Sequence, residues 1–125
     1  MPVTVPETAP DTAAAAAPAE NLEKLAELYD MAEQAVVLLK AMANEWRLMI
    51  LCQLAEGERT VSELQAVLGL SQSALSQHLA VLRREKIVKA RKHAQSVSYS
   101  LAGDEAPRVM HTLHDVFCET HGDER

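Results

Sequence analysis

The chain has 125 residues, a formal net charge of −6 and a hydrophobic fraction of 48%, yet its only aromatics are Trp46, Phe117, Tyr29 and Tyr99. One domain fits that length, and a core that must be built from Leu, Val, Ile, Met and Ala favours helices. No apolar run approaches the roughly 20 residues of a bilayer span, and the start has neither the cations nor the compact apolar stretch of a secretory signal; a membrane partner is excluded and a cytoplasmic protein is predicted.

Residues 1–19 are largely Pro, Ala, Thr and Val with two acids and no periodicity, which predicts a disordered tail. The folded domain is expected over 20–121, with 122–125 as a short second tail. From Asn21, an expected N-cap, Leu22, Leu25, Leu28/Tyr29, Ala32, Val36 and Leu39 recur at helical steps. Asn44 should open a second helix through Leu48, Leu51, Cys52 and Ala55, closed at Gly57. Thr60 and Glu63 form a capping box for a third helix that stops at Gly69. Ser71 can then cap a fourth helix carrying Leu75, Leu79 and Leu82 on one face. Two short helices around a Gly-containing turn make a helix-turn-helix.

Residues 87–91 and 96–101 switch to strand chemistry around a polar tip at 92–95, and Val97, Tyr99 and Leu101 alternate with serines as in a half-buried strand. A hairpin directly after a helix-turn-helix is a wing. A last helix is expected from about Asp104 to Thr120. The fold class is mainly α with a small β-hairpin, a winged helix-turn-helix.

An acidic chain is a poor candidate for nucleic acid until the charge is mapped. Between residues 60 and 101, Arg83, Arg84, Lys86, Lys89, Arg91 and Lys92 stand against only Glu63 and Glu85. A basic block between acidic flanks is the footprint of a DNA-reading module, although a solvated charged face would look the same by charge alone. On the fourth helix, Ser71 at the cap is followed by Gln72, Ser73, Ser76 and Gln77 on the face opposite the leucines. The N-terminal half of a recognition helix reaches base edges, where Gln suits adenine and Ser several partners. Arg83, Arg91 and Lys92 suit phosphate. His78 lies beside Leu75 and Leu79 and is expected to pack or bond locally. The partner so predicted is double-stranded operator DNA.

At this point the chain resembles a known family. Leu39-Lys40-Ala41-Met42-Ala43-Asn44, Arg47-Leu48-Met49-Ile50-Leu51 and Leu70-Ser71-Gln72-Ser73-Ala74-Leu75-Ser76-Gln77-His78-Leu79 are similar to the ArsR/SmtB family of bacterial repressors. The resemblance covers about residues 30–118. It implies a homodimer joined mainly by the first and last helices and released from its operator by an inducer. Family members usually carry Gly near Lys86 and often at the wing tip, where this chain offers Lys, His, Ala and Gln.

Cys52 and Cys118 have no Cys-x-x-Cys spacing, and a structural disulfide is not expected in a reducing compartment. Read from its apolar neighbours alone, Cys52 is a buried small hydrophobe. The pairing is nevertheless similar to the BigR/SqrR subgroup, which implies that Cys52 and Cys118 are sensing thiols bridged by a persulfide or polysulfide inducer. His114 and His121 flank Cys118, and either, if protonated, would favour its thiolate. Metal sensing is the alternative. The family's Cys-containing metal motif is absent from Thr60-Val61-Ser62-Glu63-Leu64, and neither alignment of the last-helix motif supplies four ligands. His111, His114, Cys118 and His121 still share one predicted helical stripe, which would need a partner subunit to close around an ion. No phosphate loop, nucleophile elbow or paired carboxylates in an apolar run are present, so neither an enzyme nor a cofactor is expected.

Overall fold

A computed structural model of the chain describes residues 19–119, which fall into two compact units, one ending at Val36 and one beginning at Val37. Helix α1 (Ala19–Met42) starts earlier than the expected cap at Asn21. Ala19 is the best of helix formers, and Glu20 lies well in a first turn, so winding begins before Asn21 is reached. Ala19 therefore belongs to the helix and not to the expected tail; the rest of that tail, and the C-terminal one, lie outside the described residues. Within Ala19–Val36, the side chains of Leu22, Leu25, Leu28, Tyr29, Met31 and Val36 are all exposed.

From Val37 onward the chain builds a closed core. Helix α2 (Glu45–Ala55) opens at Asn44, whose side chain accepts from the Arg47 amide at 3.0 Å. Strand β1 (Arg59–Thr60) is too short for any period to announce it in the sequence. Helix α3 (Val61–Leu68) follows at once, and α4 (Gln72–Arg84) begins after three residues. Strands β2 (Val88–His93) and β3 (Ser96–Leu101) form the hairpin, and β1 pairs with the outer side of β3 to give the order β1-β3-β2. Ile50, Leu51, Leu64, Leu75, Leu79, Leu82 and Val88 are fully buried and tie α2, α3, α4 and the wing base into one core. None is aromatic.

The hairpin is tighter than expected. His93 pairs with Ser96, so the turn is Ala94-Gln95 alone and Lys92 and His93 belong to β2. Ala94 takes φ 52 while Gln95 does not turn positive, the pattern of a II′ turn whose first residue is best as Gly. Lys86 takes φ 61 just after α4. Both are positions where relatives would be expected to carry Gly, and the chain accepts a left-handed residue with a side chain there. The expected alternation of β3 fails at Ser98, its one buried residue. Ser98 faces Thr60 on one side and Arg91 on the other, so a central strand covers a small polar side chain that an edge strand would have left open.

Helix α5 (Glu105–His114) is shorter than the expected 104–120 and passes into a π-helical turn, Asp115–Glu119. Thr120 lies outside the described residues. Asp104 makes no side-chain cap; its amide donates instead to Glu105 Oε1 at 3.2 Å. Among the described residues no helix is long and apolar enough to cross a membrane.

Candidate nucleic-acid interface and thiol pair

Two caps and one glycine set the angle of the helix-turn-helix. Thr60 Oγ1 accepts from the Glu63 amide at 3.0 Å while Glu63 Oε1 accepts from the Thr60 amide at 2.9 Å. At the other end of α3 the Gly69 amide reaches the Gln65 carbonyl at 2.8 Å, with φ 72 at Gly69. Leu70 and Ser71 complete the turn, and Ser71 Oγ accepts from the Ala74 amide at 3.1 Å to start α4. Because Leu75, Leu79 and Leu82 are drawn into the core, Gln72, Ser73, Ser76 and Gln77 are left exposed on the opposite face. Among the described residues no internal hydrogen bond occupies the side chains of Gln72, Ser76 or Gln77. Ser71, by contrast, is committed to its cap.

The cations differ in their freedom. Arg83 and Lys92 are exposed and, among the described residues, carry no ion pair. Arg91 is held by Glu58, with Nε and Nη2 donating to Oε2 and Oε1 at 3.2 and 2.8 Å. A bidentate pair of this kind fixes the wing to the segment before β1 and would compete with a phosphate for the guanidinium. Glu58 was not singled out by the sequence, since the pairing spans 33 positions.

Arg47 is a second residue the sequence reading did not single out by chemistry. Its Nε donates to the Ala41 carbonyl, its Nη2 to the Lys40 carbonyl at 3.4 Å, and its Nη1 lies 3.4 Å from His78 Nδ1. Burial, and then the Arg47 charge, hold the His78 imidazole below its usual range. His78 is thus engaged within the chain, by a residue 31 positions away. A lone arginine in the apolar run 47–51 was the available signal.

On the far side of α2, Cys52 and Cys118 are both exposed and both reduced. Exposure removes the reading of Cys52 as a buried hydrophobe. Neighbouring atoms still strip part of its hydration, which pushes the Cys52 thiol up, and Cys118 and Glu56 add to the rise. Cys118, 66 positions away in sequence, is thus close enough for its charge to be felt at Cys52. Cys118 lies in the π-helical turn Asp115–Glu119, whose backbone bonds run from i to i+5 rather than i to i+4. The predicted stripe of His111, His114, Cys118 and His121 assumed one uninterrupted α-helix, and the winding changes after His114. His111 Nδ1 pairs instead with Asp115 at 3.4 Å. His121 lies outside the described residues, among which no group of three or more His, Cys, Asp or Glu could hold a metal ion.

Comparison with known proteins gives the same outline. A sequence profile described as "Bacterial regulatory protein, arsR family" matches residues 44–90. The transcriptional activator HlyU of Vibrio cholerae is 52% identical over 97 residues, 78% of this chain and 90% of the relative. The solved structure of reduced HlyU from that organism superposes with a TM-score of 0.71 at 53% identity, over 74% of this chain and 97% of the other. The biofilm growth-associated repressor of Agrobacterium fabrum is 45% identical over 87 residues, 70% of this chain and 74% of the relative. A homodimeric winged helix-turn-helix DNA-binding domain from Mycobacterium bovis superposes with a TM-score of 0.65 at 30% identity, over 78% of this chain and 89% of the other.

Proposed function

The chain belongs to the arsR family of bacterial regulatory proteins, and from that premise we propose a cytoplasmic, homodimeric repressor released from operator DNA when Cys52 and Cys118 are bridged by reactive sulfur. It is a transcriptional regulator with a winged helix-turn-helix, as its relatives are. Repression is the reading that the Agrobacterium relative supports. In this proposal Gln72, Ser73, Ser76 and Gln77 read base edges while Arg83, Arg91 and Lys92 engage phosphate, with Ser71 holding the helix start. The exposed apolar row of α1, from Leu22 through Leu28 to Val36, is the kind of surface a second copy covers, and the homodimeric Mycobacterium domain supports that occupant.

The observation that carries the sensing proposal is that Cys52 of α2 and Cys118 of the turn after α5 are both free and exposed, with the Cys118 charge felt at Cys52. Sulfur transfer from a persulfide R–S–SH to each cysteine leaves a Cys–S–SH and releases R–SH. Condensation of the two protein persulfides then gives a trisulfide bridge and releases hydrogen sulfide. That bridge fastens α2, which packs on α3, α4, α5 and β3, to the last helix. Moving α2 moves the element against which the recognition helix is seated, and a dimer reading two half-sites one turn apart tolerates little displacement.

The test is operator binding by fluorescence anisotropy before and after a persulfide donor. Cys52→Ser and Cys118→Ser should each bind the operator as the unsubstituted protein does, and neither should be released. Release of the double Ser variant, or release of the unsubstituted protein by zinc and not by persulfide, would overturn the proposal.

A further inference from the structure

Arg47 joins three separate parts of the unit that begins at Val37. Its guanidinium donates to the Lys40 and Ala41 carbonyls at the C-terminal end of α1, and it faces His78 in the middle of α4 at 3.4 Å. Its own backbone amide is fixed by the Asn44 cap. An arginine has five donors, no acceptor, and no accessible neutral form. The nitrogen it meets must therefore be the acceptor, which requires His78 Nδ1 to be unprotonated and places the ring hydrogen on Nε2.

We infer that Arg47 is a positioning residue for DNA reading, a clamp that seats the recognition helix through neutral His78 against the end of α1 and lets go when His78 is protonated. The inference rests on the reading of α4 as the DNA-contacting helix. His78 follows directly on Gln77 and Ser76, two of the proposed base readers, so a change in its seating is passed to them without an intervening joint.

Protonation would remove the acceptor and set an imidazolium beside a guanidinium. Helix α4 packs on α2 and β2. Arg47 is the charged group that α2 directs at His78, and Lys89, Arg91, Lys92 and His93 of β2 make no hydrogen bond or charge contact with it among the described residues. The sign follows from the direction of the shift. The imidazole is held below its usual range, so the clamp is complete above about pH 6.5 and is lost as pH falls through the lower folded value.

His78→Asn separates this from mere packing, because the Asn carbonyl can accept near the Nδ1 position and does not titrate. Operator affinity of the unsubstituted protein, lowered from about pH 7.5 to about 5.5, should fall on the order of tenfold relative to His78→Asn measured in parallel, the size expected for a hydrogen bond to a charged group. Arg47→Lys keeps the charge but not the fork, and should bind more weakly at neutral pH and lose the extra acid sensitivity. A long-range proton–nitrogen NMR spectrum of the free protein should show His78 with its hydrogen on Nε2. Identical pH profiles for the unsubstituted protein and His78→Asn, or an Nδ1–H tautomer at neutral pH, would overturn the inference. Failure of the DNA reading would be seen separately, as unchanged operator affinity in Gln72→Ala and Gln77→Ala while the NMR result still stood.

Discussion

Between Thr60 and Arg84 helix starts and stops are closed by named groups: a reciprocal capping box, a left-handed glycine, and a serine cap on α4. Between Glu105 and Glu119 the last helix begins without a side-chain cap and changes its winding before it reaches Cys118. The same core supports both ends, and they differ in how many local interactions specify a single geometry. A reader of base edges has to arrive preformed, since misplaced donors lose their partners. In the proposed function the thiol pair closes on a sulfur chain, and Cys118 sits in a π-helical turn, a departure from α-winding that is frequent at functional sites.

The contrast is most sharply tested at Leu75, which is fully buried on the side of α4 opposite the proposed reading face. Leu75→Ala should lower unfolding free energy by about 2–5 kcal/mol in urea titration at fixed protein concentration, whereas Cys52→Ala at an exposed site should change it by under about 0.5 kcal/mol. Comparable losses at both would mean that the thiol end is as tightly specified as the reading head. Ser71→Ala should cost about 1 kcal/mol by removing the cap of α4, and it should weaken operator binding through that helix start. Operator affinity unchanged by this substitution would separate the cap from the reading function.

These caps are also why the helix-turn-helix is legible in the sequence. Asn44, Thr60, Glu63, Gly69 and Ser71 announce their roles within three or four residues, and the structure places each where the local signal puts it. The thiol end was legible only in part. Nothing local to Asp115–Glu119 signals a π-helical turn, and the helical stripe drawn through His114 and Cys118 assumed uninterrupted α-winding. The pairs Arg91–Glu58 and Arg47–His78 are hidden for another reason, since each joins residues far apart in sequence. The burial of Ser98 was missed because strand β1, which covers it, is two residues long.

A smaller effect is expected at the wing tip. Ala94→Gly relieves a left-handed residue with a side chain and should stabilise the hairpin by a few tenths to about 1 kcal/mol, read as a raised urea midpoint. A lowered midpoint would mean that the Ala94 methyl contributes more than its backbone costs. The smallest effect concerns Glu56, whose carboxylate helps to hold Cys52 protonated. In a Cys118→Ser background, Glu56→Gln should modestly speed alkylation of Cys52 by iodoacetamide at neutral pH, because less of the thiolate is suppressed. An unchanged or slower rate would remove Glu56 from the electrostatics of the pair. Because the folded chain disfavours the Cys52 thiolate, stability should fall as alkaline pH rises toward the raised Cys52 value.

In the proposed function a covalent event at one end causes release at the other, so both have to be read from one sample. Operator-bound protein treated with a persulfide donor should be divided, with anisotropy followed in one half and intact mass in the other. The fraction of operator released should equal the fraction carrying a Cys52–Cys118 bridge that contains added sulfur, and a reductant should restore both together. Release without a bridge, or a fully bridged protein still seated on its operator, would contradict it.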